Sequence, residues 1–142
     1  MSLVKIDKLL AFILFVTTII FSCTLRTTKM KNPIFGKNED SLQKTLYAIV
    51  AFEGIELNGK EINSNGKINS GLEVDIINAQ NITNNKDQVI ALGKLIASTI
   101  KKALKDQNEY DDYTVLFVTK VTNDGVSQKS WEGKMFKSEE LP

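Results

Sequence analysis

Apolar residues recur along the chain in three rhythms, and each rhythm predicts a different kind of element. From Leu9 to Phe21 they form an unbroken, uncharged run, LLAFILFVTTIIF. From Leu72 to Ile77 they alternate, with Leu72, Val74 and Ile76 on one side and Glu73 and Asp75 on the other, the pattern of a half-buried strand. From Lys86 to Lys105 they return every three or four residues, at Val89, Leu92, Ile96, Ile100 and Ala103, which is the stripe of a helix buried on one face. Asn84 or Asn85 supplies a cap for this helix and Asp87 an acid in its first turn. Lys101, Lys102 and Lys105 crowd its end, where the helix dipole favours cations.

The remaining segments are read by the same rules. Asp40-Ser41 caps a shorter helix ending before Gly54, with Leu42, Leu46, Ile49 and Val50 on one face, although the run LYAIVAF also suits a strand. Asn58-Gly59, between IEL and KEI, predicts a hairpin turn, and Asn65-Gly66 a second turn. Val115, Phe117 and Thr119 alternate with Leu116, Val118 and Lys120, so both faces of that strand are apolar and it is expected in the middle of a sheet. Asn123-Asp124-Gly125 turns the chain into a partner strand whose Lys129, Glu132 and Lys134 suit an edge. KSEELP reads as a polar tail. The expected fold is α+β: a small antiparallel or mixed sheet with one long amphipathic helix packed across it, preceded by an N-terminal signal helix. A crossover as long as the 86–105 helix also permits its flanking strands to be parallel neighbours.

The unbroken run has 13 residues. As a helix it measures roughly 20 Å, short of the ~30 Å hydrocarbon core. Lys5 and Lys8 precede it and the small residue Ser22 follows it, the three-part layout of a secretory signal. Next comes Cys23, the only cysteine in 142 residues, so an internal disulfide is impossible. The chain has no histidine, which removes the usual base for a catalytic thiolate. Ile20-Phe21-Ser22-Cys23 resembles the lipobox of bacterial lipoproteins: Ile20 and Ser22 match it, and Phe21 is larger than the family's usual residue. The resemblance implies that Cys23 receives a diacylglycerol, that residues 1–22 are cut away, and that the new amine is acylated.

Three regions follow: a signal peptide, 1–22; a lipidated cysteine and flexible tether, 23–39, carrying Pro33 and Gly36; and one α+β domain, 40–142. As a coil, the stretch from Thr24 to Glu39 reaches about 20–24 Å. Arg26, Lys29, Lys31 and Lys37 precede its first acid; they suit an ordinary solvated linker first, and an anionic surface second. Some Bacteroidota lipoproteins carry an acid-rich export stretch after the cysteine. This chain has none there, which by that resemblance implies an outer-membrane protein facing the periplasm.

Removing residues 1–22 takes away Lys5, Lys8 and Asp7 and leaves sixteen basic and sixteen acidic side chains. Such balance argues against a nucleic-acid binder. Among the acids, Glu73 and Asp75 share a strand face, and Asp106, Glu109, Asp111 and Asp112 cluster without the spacing of a calcium loop. No metal or cofactor is expected, and neither Gly-rich turn has the residues of a phosphate loop. KDQNEYDDYTVLFVTK followed by WEGKMFKSEEL, in the final third of the chain, resembles small single-domain Bacteroidota lipoproteins of unknown function, a resemblance that implies no chemistry. The expectation is a membrane-anchored, non-enzymatic binding or structural module, held to the bilayer through acylated Cys23 and engaging an envelope protein or wall component. Tyr113 and Trp131 are its candidate anchors, since large aromatics dominate many interfaces. The rival expectation is a small hydrolase of cell-wall or glycan substrates using carboxylates or Ser/Lys chemistry, neither of which needs histidine.

The lipobox reading has a direct test. Cys23→Ser should abolish labelling by a fatty-acid probe and leave the protein unprocessed or free of the lipid fraction; label that persists in the variant refutes it.

Overall fold

The computed structural model describes residues 26–36, 38–82, 85–123 and 126–142. The signal segment 1–22, Cys23, Lys37, Asn84 and the Asp124-Gly125 turn lie outside them. Five strands, β1 (Arg26–Met30), β2 (Gly54–Ser64), β3 (Lys67–Ile77), β4 (Asp112–Asn123) and β5 (Val126–Lys137), form one sheet in chain order. Two helices, α1 (Glu39–Ile49) and α2 (Lys86–Ala103), complete the mixed α and β architecture, one helix more than the single long one expected across the sheet. All neighbouring strands are antiparallel except β3 and β4, which run parallel with Leu72 opposite Tyr113 and Ile76 opposite Phe117. The sheet is therefore mixed, and α2 is the crossover that a parallel pair requires.

The helical and alternating rhythms end in one core. Leu72, Val74 and Ile76 of β3 and Tyr113, Val115 and Phe117 of β4 face the helices, together with Phe136 of β5, and all are buried. Ile96, Ala97 and Ile100 of α2 are fully buried, as is Leu46 of α1. Burial of each large aliphatic side chain is worth about 1.5–3 kcal/mol. Asn85 caps α2, its Oδ1 accepting from the backbone N–H of Asp87 at 3.0 Å and of Gln88 at 3.3 Å. Asn38, just upstream of the Asp40-Ser41 pair, caps α1 in the same way, accepting from Asp40 N–H at 3.0 Å.

Three local expectations are corrected. Asn58-Gly59 is not a turn but the middle of β2, and the β2–β3 hairpin closes at Asn65-Gly66, whose φ values of 52° and 83° are both positive as a tight primed turn needs. Gly59 is there for proximity: a Cβ on it would collide with the Lys31 carbonyl and the Tyr110 hydroxyl. The segment expected to be a flexible tether is, where described, attached to the domain. Arg26–Met30 pairs with β2 as an edge strand, Lys31 N–H donates to the Gly59 carbonyl at 2.9 Å, and Phe35 bridges to Leu104. All five side chains of β1 are exposed, so backbone pairing holds it and no apolar period marks it. Finally, the polar tail is docked: Ser138–Glu140 make one 3-10 turn, Leu141 is buried, and the Lys101 ammonium donates to the carbonyls of Ser138 (2.7 Å) and Leu141 (3.0 Å).

Lys31 closes the N-terminal edge. The Tyr110 hydroxyl donates to its carbonyl at 2.6 Å, its ammonium donates to the Glu109 carbonyl at 3.0 Å, and that ammonium stands 5.4 Å from the centre of the Tyr110 ring. Gly59→Ala should push this junction apart. The expected cost is about 1–3 kcal/mol, as for other overpacked sites, together with faster tryptic cleavage at Lys29 and Lys31. Melting and cleavage equal to the native protein would show that the junction does not hold β1.

Candidate functional site

With both helices on one side, the other face of the sheet is left to its own side chains. Crossing it from β2 to β5, one row reads Glu56, Asp75, Leu116, Gly133, and the next places Ile77, Val118 and Trp131 side by side. Two lysines stretch over these rows. Lys120 of β4 reaches across β3 to Glu56 at 3.0 Å, and Lys129 of β5 reaches across β4 to Asp75 at 3.7 Å. Val118, on this face without helices, is only 1% exposed, between Ile77 and Trp131 in its row.

Asp75 is 4% exposed, which corrects the expectation that this side of β3 simply faces solvent. Its Oδ1 has no hydrogen-bond partner. Burial raises its carboxyl above the ordinary aspartate value, Glu73 adds to the rise, and Lys129 opposes it less strongly. Glu56, exposed and paired with Lys120, is held below the ordinary glutamate value by that lysine.

The two candidate anchors are not brought together. Tyr113 is fully buried on the helix side, edge-to-face with Tyr110 at 6.1 Å between ring centres. Its hydroxyl has no hydrogen-bond partner and is pushed up to about 12 by burial, with Glu109 and Asp106 adding to it. Tyr113 is therefore core and is withdrawn as a contact residue: the odd-numbered positions of β4 face the helices. Trp131 points to the opposite face and is 69% exposed. Met135, on the same face of the same strand, is also exposed, and Gly133 between them adds no side chain, leaving Leu116 half-buried beneath.

On the helix side of the sheet, Phe117 and Thr119 of β4, Ser130 and Glu132 of β5, and Ala79, Asn81 and Ile82 of the loop after β3 line a concavity of about 480 Å³, at whose rim stands Trp131 with its ring on the opposite face. That loop is firmly built. Asn78 and Asn81 adopt positive φ, 49° and 58°. Asn78 N–H donates to the Val118 carbonyl at 2.8 Å, its Oδ1 accepts from Lys120 N–H at 2.8 Å, and its Nδ2 donates to Glu53 at 2.5 Å. The NAQN stretch carries the turn residues needed for such a loop, but nothing in its order shows that it would line a concavity with β5.

The other acids have structural work. Asp111 accepts from Ser70 N–H at 2.6 Å and from its hydroxyl at 3.1 Å, Asp112 pairs with Lys137 at 3.5 Å, and Asp106 accepts from Asn108 N–H at 2.9 Å. Among the described residues no group of acids is arranged to hold a metal ion, and no helix is long and apolar enough to cross a membrane. No protein-family model matches the chain, and no curated protein or solved structure is significantly similar to it.

A carboxyl whose pKa is higher in the folded than in the unfolded chain favours folding in acid. That contribution is complete below the unfolded value, near 3.8, and is lost as pH rises through the folded one. Asp75→Asn should therefore melt higher than the native protein near neutrality, by roughly 3 °C, and the gap should close on acidification. A gap that stays constant with pH would assign the effect to something other than ionisation of Asp75.

Proposed function

We propose that the chain is a membrane-anchored envelope lipoprotein, lipidated at Cys23 and facing the periplasm from the outer membrane, and that its domain is a non-enzymatic binding module. The observation that carries the binding reading is the exposed apolar strip of Trp131 and Met135 on the free edge strand. Large side chains left uncovered on a face crossed elsewhere by lysine ion pairs favour a partner surface. An envelope protein or a wall component fits this mixture of aromatic and polar groups. The anchor rests on Ile20-Phe21-Ser22-Cys23 and the charged and apolar segments ahead of it.

A second reading, a small hydrolase of glycan or cell-wall substrates, has one observation in its favour: the raised carboxyl of Asp75. Against it, Asp75 lies under Lys129 and lines neither the concavity at the hairpin end of its own face nor the one on the helix side.

Trp131→Ala decides between them. Because the ring is largely exposed, the variant should retain stability to within about 0.5 kcal/mol. It should lose at least about tenfold in capture of the crosslinked partner from envelope membranes. Undiminished capture refutes the surface. Turnover of a glycan substrate by the purified protein, abolished by Asp75→Asn with the fold intact, establishes the hydrolase instead.

A further inference from the structure

The pairing of β1 changes what a lipid on Cys23 would do. Only Thr24 and Leu25 separate that cysteine from Arg26, the first residue of β1. Three residue steps span at most about 10–11 Å. Arg26 lies opposite Ser64, at the closed end of the β2–β3 hairpin. The hairpin extends beyond β4, whose parallel pairing with β3 begins only at Gly71. Whatever holds Cys23 therefore holds this end of the sheet.

The same end carries uncompensated positive charge. Arg26, Lys60 and Lys67 all project from the helix-free face and line one concavity of about 570 Å³. Each lacks a carboxylate partner among the described residues, whereas Lys120, Lys129 and Lys137 elsewhere on this face are each paired. Of the two carboxylates on the wall of the concavity, Asp112 is occupied by Lys137, and Glu73 stands further from the hairpin end. On the reverse side of the hairpin, Ile68 is 57% exposed. Cations on one side of a protruding turn and an uncovered aliphatic side chain on the other suit the headgroup layer of an anionic bilayer.

We propose that this hairpin end is a docking surface for anionic phospholipid, with Arg26, Lys60 and Lys67 contacting headgroup phosphates. The proposal rests on lipidation of Cys23. It stands the sheet on its hairpin end. Trp131 is level with Ile77, ten residues along β3 from Lys67, so it is carried roughly 30 Å from the bilayer. The lipid contact and the proposed partner surface then occupy opposite ends of one face.

The test uses the full protein isolated with its natural modifications and reconstituted into vesicles of equal parts phosphatidylcholine and phosphatidylglycerol. Acylation of lysines by a water-soluble reagent is followed residue by residue. Lys60 and Lys67 should react about fivefold more slowly in vesicles than in neutral detergent, on the scale of one headgroup contact per charge. Lys86, at the far end, should not change, and added salt should relieve the protection. The double variant Arg26→Glu, Lys67→Glu should remove the protection of Lys60. The intact mass, read on the same sample, reports whether Cys23 carries lipid. A lipidated protein with equal reactivity in vesicles and detergent overturns the docking while the anchor stands; an unlipidated Cys23 overturns both. Equal protection by vesicles of phosphatidylcholine alone overturns the anionic recognition. Equal protection in detergent by inorganic phosphate assigns the cations to a free anion and overturns the membrane surface.

Discussion

The parallel register between β3 and β4 is the constraint on which the rest of the structure depends. Two antiparallel neighbours need only a tight turn, but parallel ones need the chain to travel back along the sheet, and α2 is that return path. Once α2 lies over Val74, Val115 and Phe136, one face is committed to the core, and α1 extends the same layer. The loops at the two ends of α2 are then forced to opposite ends of the sheet. One of them, at Asn78–Ile82, lines a concavity with Ser130 and Glu132; the other carries Tyr110 to the β1 edge.

The uncovered face is a compromise between shielding and access. Two lysines each bridge across a strand, Lys120 to Glu56 and Lys129 to the buried Asp75, with side chains that stay about half exposed. Such bridges add little stability by themselves. Their effect is to divide the face: a roofed centre, an apolar strip along β5, and an unroofed cationic end at the hairpin. Burying a carboxylate under that roof is unfavourable, which places Asp75 among the few residues whose replacement by a neutral relative should strengthen the fold.

How much of this could be read in the sequence follows from what kind of force holds each element. The α2 stripe, the β3 alternation and the two-sided apolar β4 are written in side chains because side-chain burial makes them. Edge strand β5 was legible for the same reason, through its polar residues. Strand β1 was not, since five exposed residues held by backbone hydrogen bonds leave no period. Asn58-Gly59 misled because the dipeptide reports permissive backbone, and Gly59 serves proximity to Lys31 and Tyr110 instead of a turn. Of the candidate site, Trp131 was legible as a large aromatic in an edge strand. Tyr113 sat in an equally aromatic context, and only the strand's pairing decided which way it faced. The concavity and the cationic hairpin end join residues from distant segments, so no local pattern announces them.

The junction at Lys31 also has a mechanical meaning. A force lifting the chain ahead of Arg26 away from the sheet peels β1 from β2 pair by pair, starting opposite Ser64 and moving towards Met30 and Lys60. Each step breaks little. At Lys31 the geometry changes: a backbone bond to Gly59, a phenol bond from Tyr110 and an ammonium bond to Glu109 meet on one residue and resist together. The edge strand is thus a short compliant leader ending in a stop, and tension arriving from the N-terminal side is spent on five exposed residues before it reaches the core.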